Sequence, residues 1–176
     1  MTDTDTRAAL TRFYGKYRGT CINNVDPMML GRIQVIVPDV SEVVPTTWAM
    51  PCFPVAGPQT GVYAVPMIGA GIWVEFEQGD PDYPIWVGGY YGEPDLPALG
   101  RLIPPGVTGF TYTTLLQNSI SITDTPGPTG GILLKTTTGA MIAVNDLGII
   151  ISNGKGAIIN MIGPTVDINV GALTVI

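Results

Sequence analysis

Four carboxylates fall within eight residues, at Glu75, Glu77, Asp80 and Asp82. Such a cluster could bind calcium, but its spacing matches no loop with an established ligand pattern. Paired carboxylates could also hydrolyse glycosides, but Glu75 and Glu77 are two apart on a predicted strand and would point the same way. A strand that ends in a Gly-Asp-Pro turn explains these residues without a metal or an active site. We therefore predict no cofactor, metal or catalytic residue here.

Other residue types narrow the chemistry further. The chain has no histidine, which excludes Ser-His-Asp and Cys-His nucleophile systems and His-ligated zinc. Its two cysteines, Cys21 and Cys52, lie in strand-like segments and are predicted to be small buried apolar side chains. Five aromatic residues could form a sugar-binding platform, although in a small barrel such residues more often belong to the core or an interface. They are Trp48, Trp73, Trp86, Tyr90 and Tyr91.

Charge and hydropathy indicate what the chain contacts. Of 176 residues only 12% are charged, and the net charge is −6. A nucleic-acid partner is disfavoured because binding to phosphates depends on basic side chains. Residues 1–7 are polar and show no signal peptide. The longest aliphatic run, 149–151, is far too short to span a membrane, so synthesis in the cytoplasm is expected.

The first half of the chain predicts a small β-barrel. One short helix is expected over Thr6–Tyr14, followed by about five strands in some 90 residues. Inward-facing positions alternate in two of these strands, at Ile33, Val35 and Val37 and at Ile72, Val74 and Phe76. Closing five short strands into a barrel removes the exposed sheet edges. The predicted boundaries are residues 1–14 for the N-terminal segment, 15–92 for the barrel and 93–105 for a Pro-rich linker.

Residues 106–176 have a different character. They carry five charged side chains, against 17 in residues 1–105, and consist of short alternating segments separated by glycines. Segments 119–123 and 165–170 alternate cleanly, whereas the phase through residues 156–162 is ambiguous. This pattern predicts a series of five- or six-residue strands, each with one apolar face.

A single chain of such strands would leave its apolar face in water. We therefore predict that three copies wind about one axis, with strands pairing around the perimeter and aliphatic side chains filling a dry central column. The fold class is all-β: a five-stranded barrel followed by a trimeric, intertwined β-helical needle. The predicted trimer core consists of Ile120, Ile122, Ile132, Leu134, Ile142, Val144, Ile149, Ile151, Val166, Ile168, Val170, Leu173 and Val175.

Three passages resemble a known family. They are residues 16–39, 61–69 and 74–88, and they contain the patterns D-P-x-x-x-G-R-I-x-V and F-E-x-G-D-P-x-x-P-I-x-x-G. They resemble the OB-fold domain of phage baseplate assembly protein V, which is shared with the VgrG spikes of type VI secretion and with extracellular contractile injection systems. The C-terminal repeat resembles the β-helical needle of the same family.

The resemblance implies a homotrimeric central spike, assembled into the baseplate of a phage tail or injection particle. Its barrels would sit against a hub protein, with contacts predicted at Arg12, Lys16, Arg18 and Arg32. Its needle would pierce the target cell envelope and touch the membrane only transiently. No lysozyme domain fits between barrel and needle, and the His-x-His iron site that closes some needles is absent.

An apolar needle end would need a cap. We expect a separate PAAR-like tip protein to contact the last residues, Thr174, Val175 and Ile176.

Two other functions compete with the spike. One is an OB-fold module that binds oligosaccharide or single-stranded nucleic acid; the other is a fibre-associated polysaccharide depolymerase, for which 71 residues are too few to build the long β-helix required.

Overall fold

The computed structural model describes residues 11–93 and 95–175. It divides the chain into two compact units, Met1–Pro94 and Asp95–Ile176. The first unit contains strands β1 (Tyr17–Asn23) and β2 (Gln34–Ile36), helix α1 (Pro38–Ser41), and strands β3 (Met50–Pro51), β4 (Ala56–Gly57), β5 (Thr60–Gly61), β6 (Gly71–Phe76) and β7 (Pro84–Tyr90). No described helix is long and apolar enough to cross a membrane.

Five strands of the first unit form one curled sheet in the order β2-β1-β6-β7-β3, and β4 and β5 form a separate hairpin. All neighbours in the five-stranded sheet are antiparallel except β3 and β7. The sheet curls so far that Ile33 and Ala49, which precede its two edge strands, exchange backbone hydrogen bonds of 3.2 and 2.8 Å. The edge strands are thereby joined, as the barrel prediction required.

The core of this unit follows the alternation read from the sequence. Ile33, Val35, Val37, Ile72 and Val74 are fully buried, and Phe76 is nearly so. These side chains occupy the concave side of the curled sheet because residues two apart on a strand share a face.

Two predictions about the first unit are wrong in the described residues. Residues 11–14 are not helical, because the Phe13 amide donates to the carbonyl of Gly79 at 2.8 Å and its ring packs on Phe76; residues 6–10 lie outside the described part. The short helix lies instead at Pro38–Ser41, where proline fits the first turn. Cys21 is buried but Cys52 is exposed, since β3 ends at Pro51.

The second unit is an antiparallel meander of eight strands. They are β8 (Gly109–Thr113), β9 (Ser119–Thr123), β10 (Gly131–Lys135), β11 (Met141–Asn145), β12 (Gly148–Ser152), β13 (Ile158–Ile162), β14 (Thr165–Ile168) and β15 (Leu173–Val175). Each strand pairs with the next along the chain. Backbone hydrogen bonds between consecutive strands are thus made within one chain, and strand pairing between copies is not needed to satisfy them.

Candidate functional site: the apolar face of the second unit

The cross-strand register of the eight-stranded sheet aligns apolar side chains into two unbroken rows on one face. The first row runs through Phe110, Ile122, Ile132, Val144, Ile149, Met161, Val166 and Val175. The second row runs through Tyr112, Ile120, Leu134, Ile142, Ile151, Ile159, Ile168 and Leu173. We call these sixteen residues the apolar face.

The apolar face is open to solvent in the single chain. Ile122 is 48% exposed, Val144 39% and Leu173 54%. Strands in a sheet are spaced about 4.8 Å apart, so eight strands extend the two rows over roughly 34 Å. Large continuous apolar surfaces of soluble proteins are usually covered by a partner.

The opposite face is polar where it is most buried. Ser121 is 6% exposed, and its hydroxyl lies 2.9 Å from that of Thr111. The hydroxyls of Ser119 and Thr113 pair in the same way at 3.1 Å. Every buried hydroxyl of this group can therefore be satisfied within the chain, whereas the part of the chain that the structure describes leaves the apolar face uncovered.

Residues 95–105, which make up most of the predicted linker 93–105, contribute to this burial. A 3₁₀ turn spans Gly100–Leu102, and Leu99, Leu102 and Ile103 line a small cavity together with Ser121, Thr123 and Leu133. A β-carbon on Gly109 would lie 2.6 Å from the side chain of Ile103. The segment thus packs on the polar side of the sheet and leaves the apolar face free.

The structure places twelve of the thirteen predicted core residues on the apolar face. Val170 is the exception: the strand ends at Ile168, and Asn169 and Val170 adopt positive φ angles of 52° and 55° in the following turn. The side chain of Asn169 fixes this turn by accepting a hydrogen bond from the amide of Ile158 at 3.0 Å. The prediction of a strand through Val170 is therefore wrong, although the residue types alternate correctly.

Four residues of the apolar face were missed. Phe110 and Tyr112 lie in the pattern Gly-Phe-Thr-Tyr-Thr, whose alternation is as clean as that of Ser119–Thr123 and could have identified them. Ile159 and Met161 lie in the stretch of ambiguous phase, where apolar residues occupy both alternations. Only their pairing with Ile151 and Ile149 assigns them to the apolar face.

Two of the three predicted tip contacts, Thr174 and Val175, lie on the last strand. Val175 belongs to the apolar face, whereas Thr174 pairs with Asp167 on the opposite face. Ile176 lies outside the described residues. Among the described strands, β15 is one edge of the sheet and has a neighbour only on the side of β14.

The basic residues predicted to contact a hub differ in their surroundings. Arg12 forms an ion pair with Asp80 at 2.9 Å, Lys16 pairs with Glu75, and Arg32 pairs with Asp26 at 2.6 Å. Arg18 instead lies over the rings of Trp73 and Tyr90.

The pair between Asp26 and Arg32 explains one sequence pattern, D-P-x-x-x-G-R. The Asp26 carboxylate accepts backbone hydrogen bonds from Met28 and Leu30 at 2.9 and 2.8 Å, and the guanidinium of Arg32 binds the same carboxylate. The side chain of Asp26 is only 3% exposed. The pKa of Asp26 is held well below its usual range, chiefly by Arg32 and also by the backbone donors. These residues therefore hold the loop after β1 in shape.

The acidic and aromatic residues considered for chemistry are dispersed. Within the described residues no group of three or more carboxylates or thiols is placed to hold a metal ion. Trp86 is part of the buried core and donates to the carbonyl of Gly31 at 3.0 Å, while Trp48 lies under the guanidinium of Arg32. The five aromatic residues thus do not form one platform.

A curled five-stranded barrel, followed by a sheet whose apolar face needs other copies, is the architecture of a self-associating structural protein. Residues 17–91 match the family described as type VI secretion system/phage-baseplate injector OB domain, and residues 110–174 match the phage baseplate V C-terminal trimerisation domain. Together these matches span most of the 176 residues, and the chain belongs to the phage baseplate protein V family. It is a structural spike component of a contractile tail, with an OB domain and a trimerisation domain. No individual curated protein matches the sequence.

Proposed function

We propose that the chain is the homotrimeric central spike of a contractile injection machine. Its second unit would form a stiff shaft that pierces the envelope of the target cell, and its OB domain would attach to a hub protein of the baseplate. The observation that supports this proposal most directly is the apolar face, whose two rows run the whole length of the sheet and are left exposed by the described residues.

Three copies would close this surface by packing their apolar faces around a common axis. Each strand layer would then contribute two inward side chains per chain, such as Ile132 and Leu134, and six per trimer. Aromatic side chains at Phe110 and Tyr112 would fill the first layer, and Val175 and Leu173 the last. A column packed in this way excludes water and resists bending, because bending would open several layers at once.

The shaft would also resist unfolding. Separating the three chains would expose the sixteen apolar-face residues of every chain at once, so the barrier to dissociation should be high and the spike kinetically stable. Such stability fits a part that is pushed through a membrane by sheath contraction. The contact with the membrane would be transient.

At the far end of the shaft we propose a PAAR-like tip protein. Leu173 and Val175 are 54% and 56% exposed, and no described strand pairs with the outer edge of β15. A partner could cover these side chains and extend the sheet at that edge. Binding of a tip protein to the whole chain, and its loss when residues 173–176 are removed, is the expected result in a pull-down; binding that survives the deletion would contradict this part.

The oligomeric state tests the main proposal. Sedimentation velocity of the whole chain should give the mass of three copies, and a chain shortened to residues 1–94 should be mostly monomeric because it lacks the apolar face. A whole chain that sediments as a stable folded monomer at micromolar concentration would refute the spike proposal.

A further inference from the structure

The outer face of the OB sheet carries a compact group of one cation and two aromatic rings, Arg18, Trp73 and Tyr90, which we call the Arg18 cluster. Arg18 on β1 is the direct cross-strand neighbour of Trp73 on β6. The guanidinium carbon of Arg18 lies 5.4 Å from the ring centre of Trp73 and 5.5 Å from that of Tyr90. The two ring centres are 5.1 Å apart. Both rings thus support the same guanidinium.

Glycines shape the surface around the cluster. Tyr90 lies against Gly71, where an added β-carbon would be 2.6 Å from the ring, and its hydroxyl donates to the carbonyl of Gly19 at 3.4 Å. The ring therefore reaches across β6 towards β1. Gly88 is the cross-strand neighbour of Trp73 on the other side, and a β-carbon there would meet nothing within 4 Å. The sheet is consequently open beside Trp73.

Arg18 differs from the other described cations of residues 11–93. Arg12, Lys16 and Arg32 each bind a carboxylate of the same unit. Arg18 is exposed and contacts aromatic rings, but within the described residues it forms no ion pair or hydrogen bond. Its N–H donors are held in place by the rings and remain available to a ligand.

We infer that the Arg18 cluster is the surface by which the OB domain binds the hub, and that its ligand is an exposed carboxylate side chain of that neighbouring protein. The carboxylate would accept two parallel hydrogen bonds from Arg18, the geometry that a planar guanidinium favours. An apolar group next to the carboxylate would cover Trp73 above Gly88. This inference rests on the proposed spike function, since it assigns the attachment site of that spike.

Other classes of ligand fit less well. Trp, Tyr and Arg are the residue types that most often dominate the energy of protein interfaces. A sugar or a nucleobase would need a bare ring face, and Arg18 already lies over both rings. A nucleic acid would in addition approach a chain of net charge −6.

The test uses tails purified from a strain that lacks this chain, and labelled whole-chain trimers added to them. Arg18→Ala should weaken binding to these tails at least tenfold. Arg18→Lys should weaken it to a similar extent, because lysine keeps the charge but not the planar pair of donors. Lys155→Ala is the control: it removes the same charge from an exposed position of the second unit to which no hub contact is assigned, and it should change binding less than twofold.

The trimer mass of each variant is measured in parallel by native mass spectrometry. Unchanged binding of Arg18→Ala, or equal losses in Arg18→Ala and Lys155→Ala, would overturn the inference while leaving the spike function intact. Loss of the trimer in Arg18→Ala would also overturn it, by showing that the cluster contacts a second copy. A wild-type chain that is not trimeric would refute the spike function itself.

A photo-crosslinker at the exposed Thr20, which lies beside Gly71 on the same face, identifies the ligand. In assembled tails it should capture a segment of another protein that contains Asp or Glu. Crosslinks only to nucleic acid, to polysaccharide or to another copy of this chain would contradict the inference.

Discussion

A polar substitution in the middle of the apolar face should separate the three chains. Ile142 lies in the second row between Leu134 and Ile151 and is 41% exposed in the single chain. We expect Ile142→Asn to abolish the trimer at micromolar concentration. The residue is suitable because the substitution would place an amide in the middle of the surface that the other copies are proposed to bury.

The size of the effect follows from that exposure. Complete burial of an isoleucine side chain contributes about 1.5–3 kcal/mol, so the 41% that remains exposed corresponds to about 1 kcal/mol per chain and about 3 kcal/mol per trimer. An amide buried without a partner costs about 1–3 kcal/mol, or about 3–9 kcal/mol for three copies. The sum, roughly 6–12 kcal/mol, would raise the trimer dissociation constant by about four orders of magnitude or more.

The matched control is Ile150→Asn on the opposite face. Ile150 pairs with Ala143 and Asn160, outside both apolar rows. The same change of residue type there should lower the free energy of unfolding by about 1 kcal/mol per chain, because the amide remains within reach of water and of polar neighbours.

Sedimentation velocity across a hundredfold range of protein concentration provides the comparison. The wild type and Ile150→Asn should remain trimeric throughout, and Ile142→Asn should sediment as a monomer or aggregate. The reasoning is refuted if Ile142→Asn remains trimeric with wild-type unfolding midpoints. It is equally refuted if the two variants dissociate alike.

Three further results are expected. Asp26→Asn should lower the stability of the OB domain at neutral pH and make that stability fall less steeply in acid, as measured by denaturant unfolding from pH 2 to 7. The reason is that a carboxyl group whose pKa is depressed in the folded state stabilises the fold above its usual pKa of 3.8 and loses this contribution as the pH falls below that value. Gly131→Ala should destabilise the second unit more than Gly156→Ala in thermal unfolding, since both glycines have positive φ but only a β-carbon at Gly131 would collide with a carbonyl of the next strand. A thiol reagent should modify Cys52 in the native protein and Cys21 only after unfolding, because only the former is exposed; equal rates would contradict the assignment.

Much of the fold could be predicted from the sequence because side-chain alternation is a local property. The inward residues of β6, Ile72, Val74 and Phe76, were predicted correctly from six consecutive letters. Ile120 and Ile122 were placed on the apolar face in the same way. The motif resemblance added the family, which the matches to both domains confirm.

The candidate sites depended more on tertiary structure. Four basic residues were equivalent in the sequence, and only the folded sheet pairs Lys16 with Glu75 while leaving Arg18 on two rings. These partners come from strands more than fifty residues away, and no local pattern encodes which cation meets which acid. The proposal that narrows the hub contact to the Arg18 cluster therefore rests on long-range register, which the sequence does not show.

The sequence by itself determined that residues 106–176 form short strands with an apolar side, because a two-residue period is written into neighbouring positions. It did not determine the phase of Ile158–Ile162, where both alternations are apolar, nor the turn that removes Val170 from the strand. Only hydrogen bonding to β12 and the turn after Ile168 decided these points. Register is a relation between distant segments, and a one-residue shift would move every side chain of a strand to the other face.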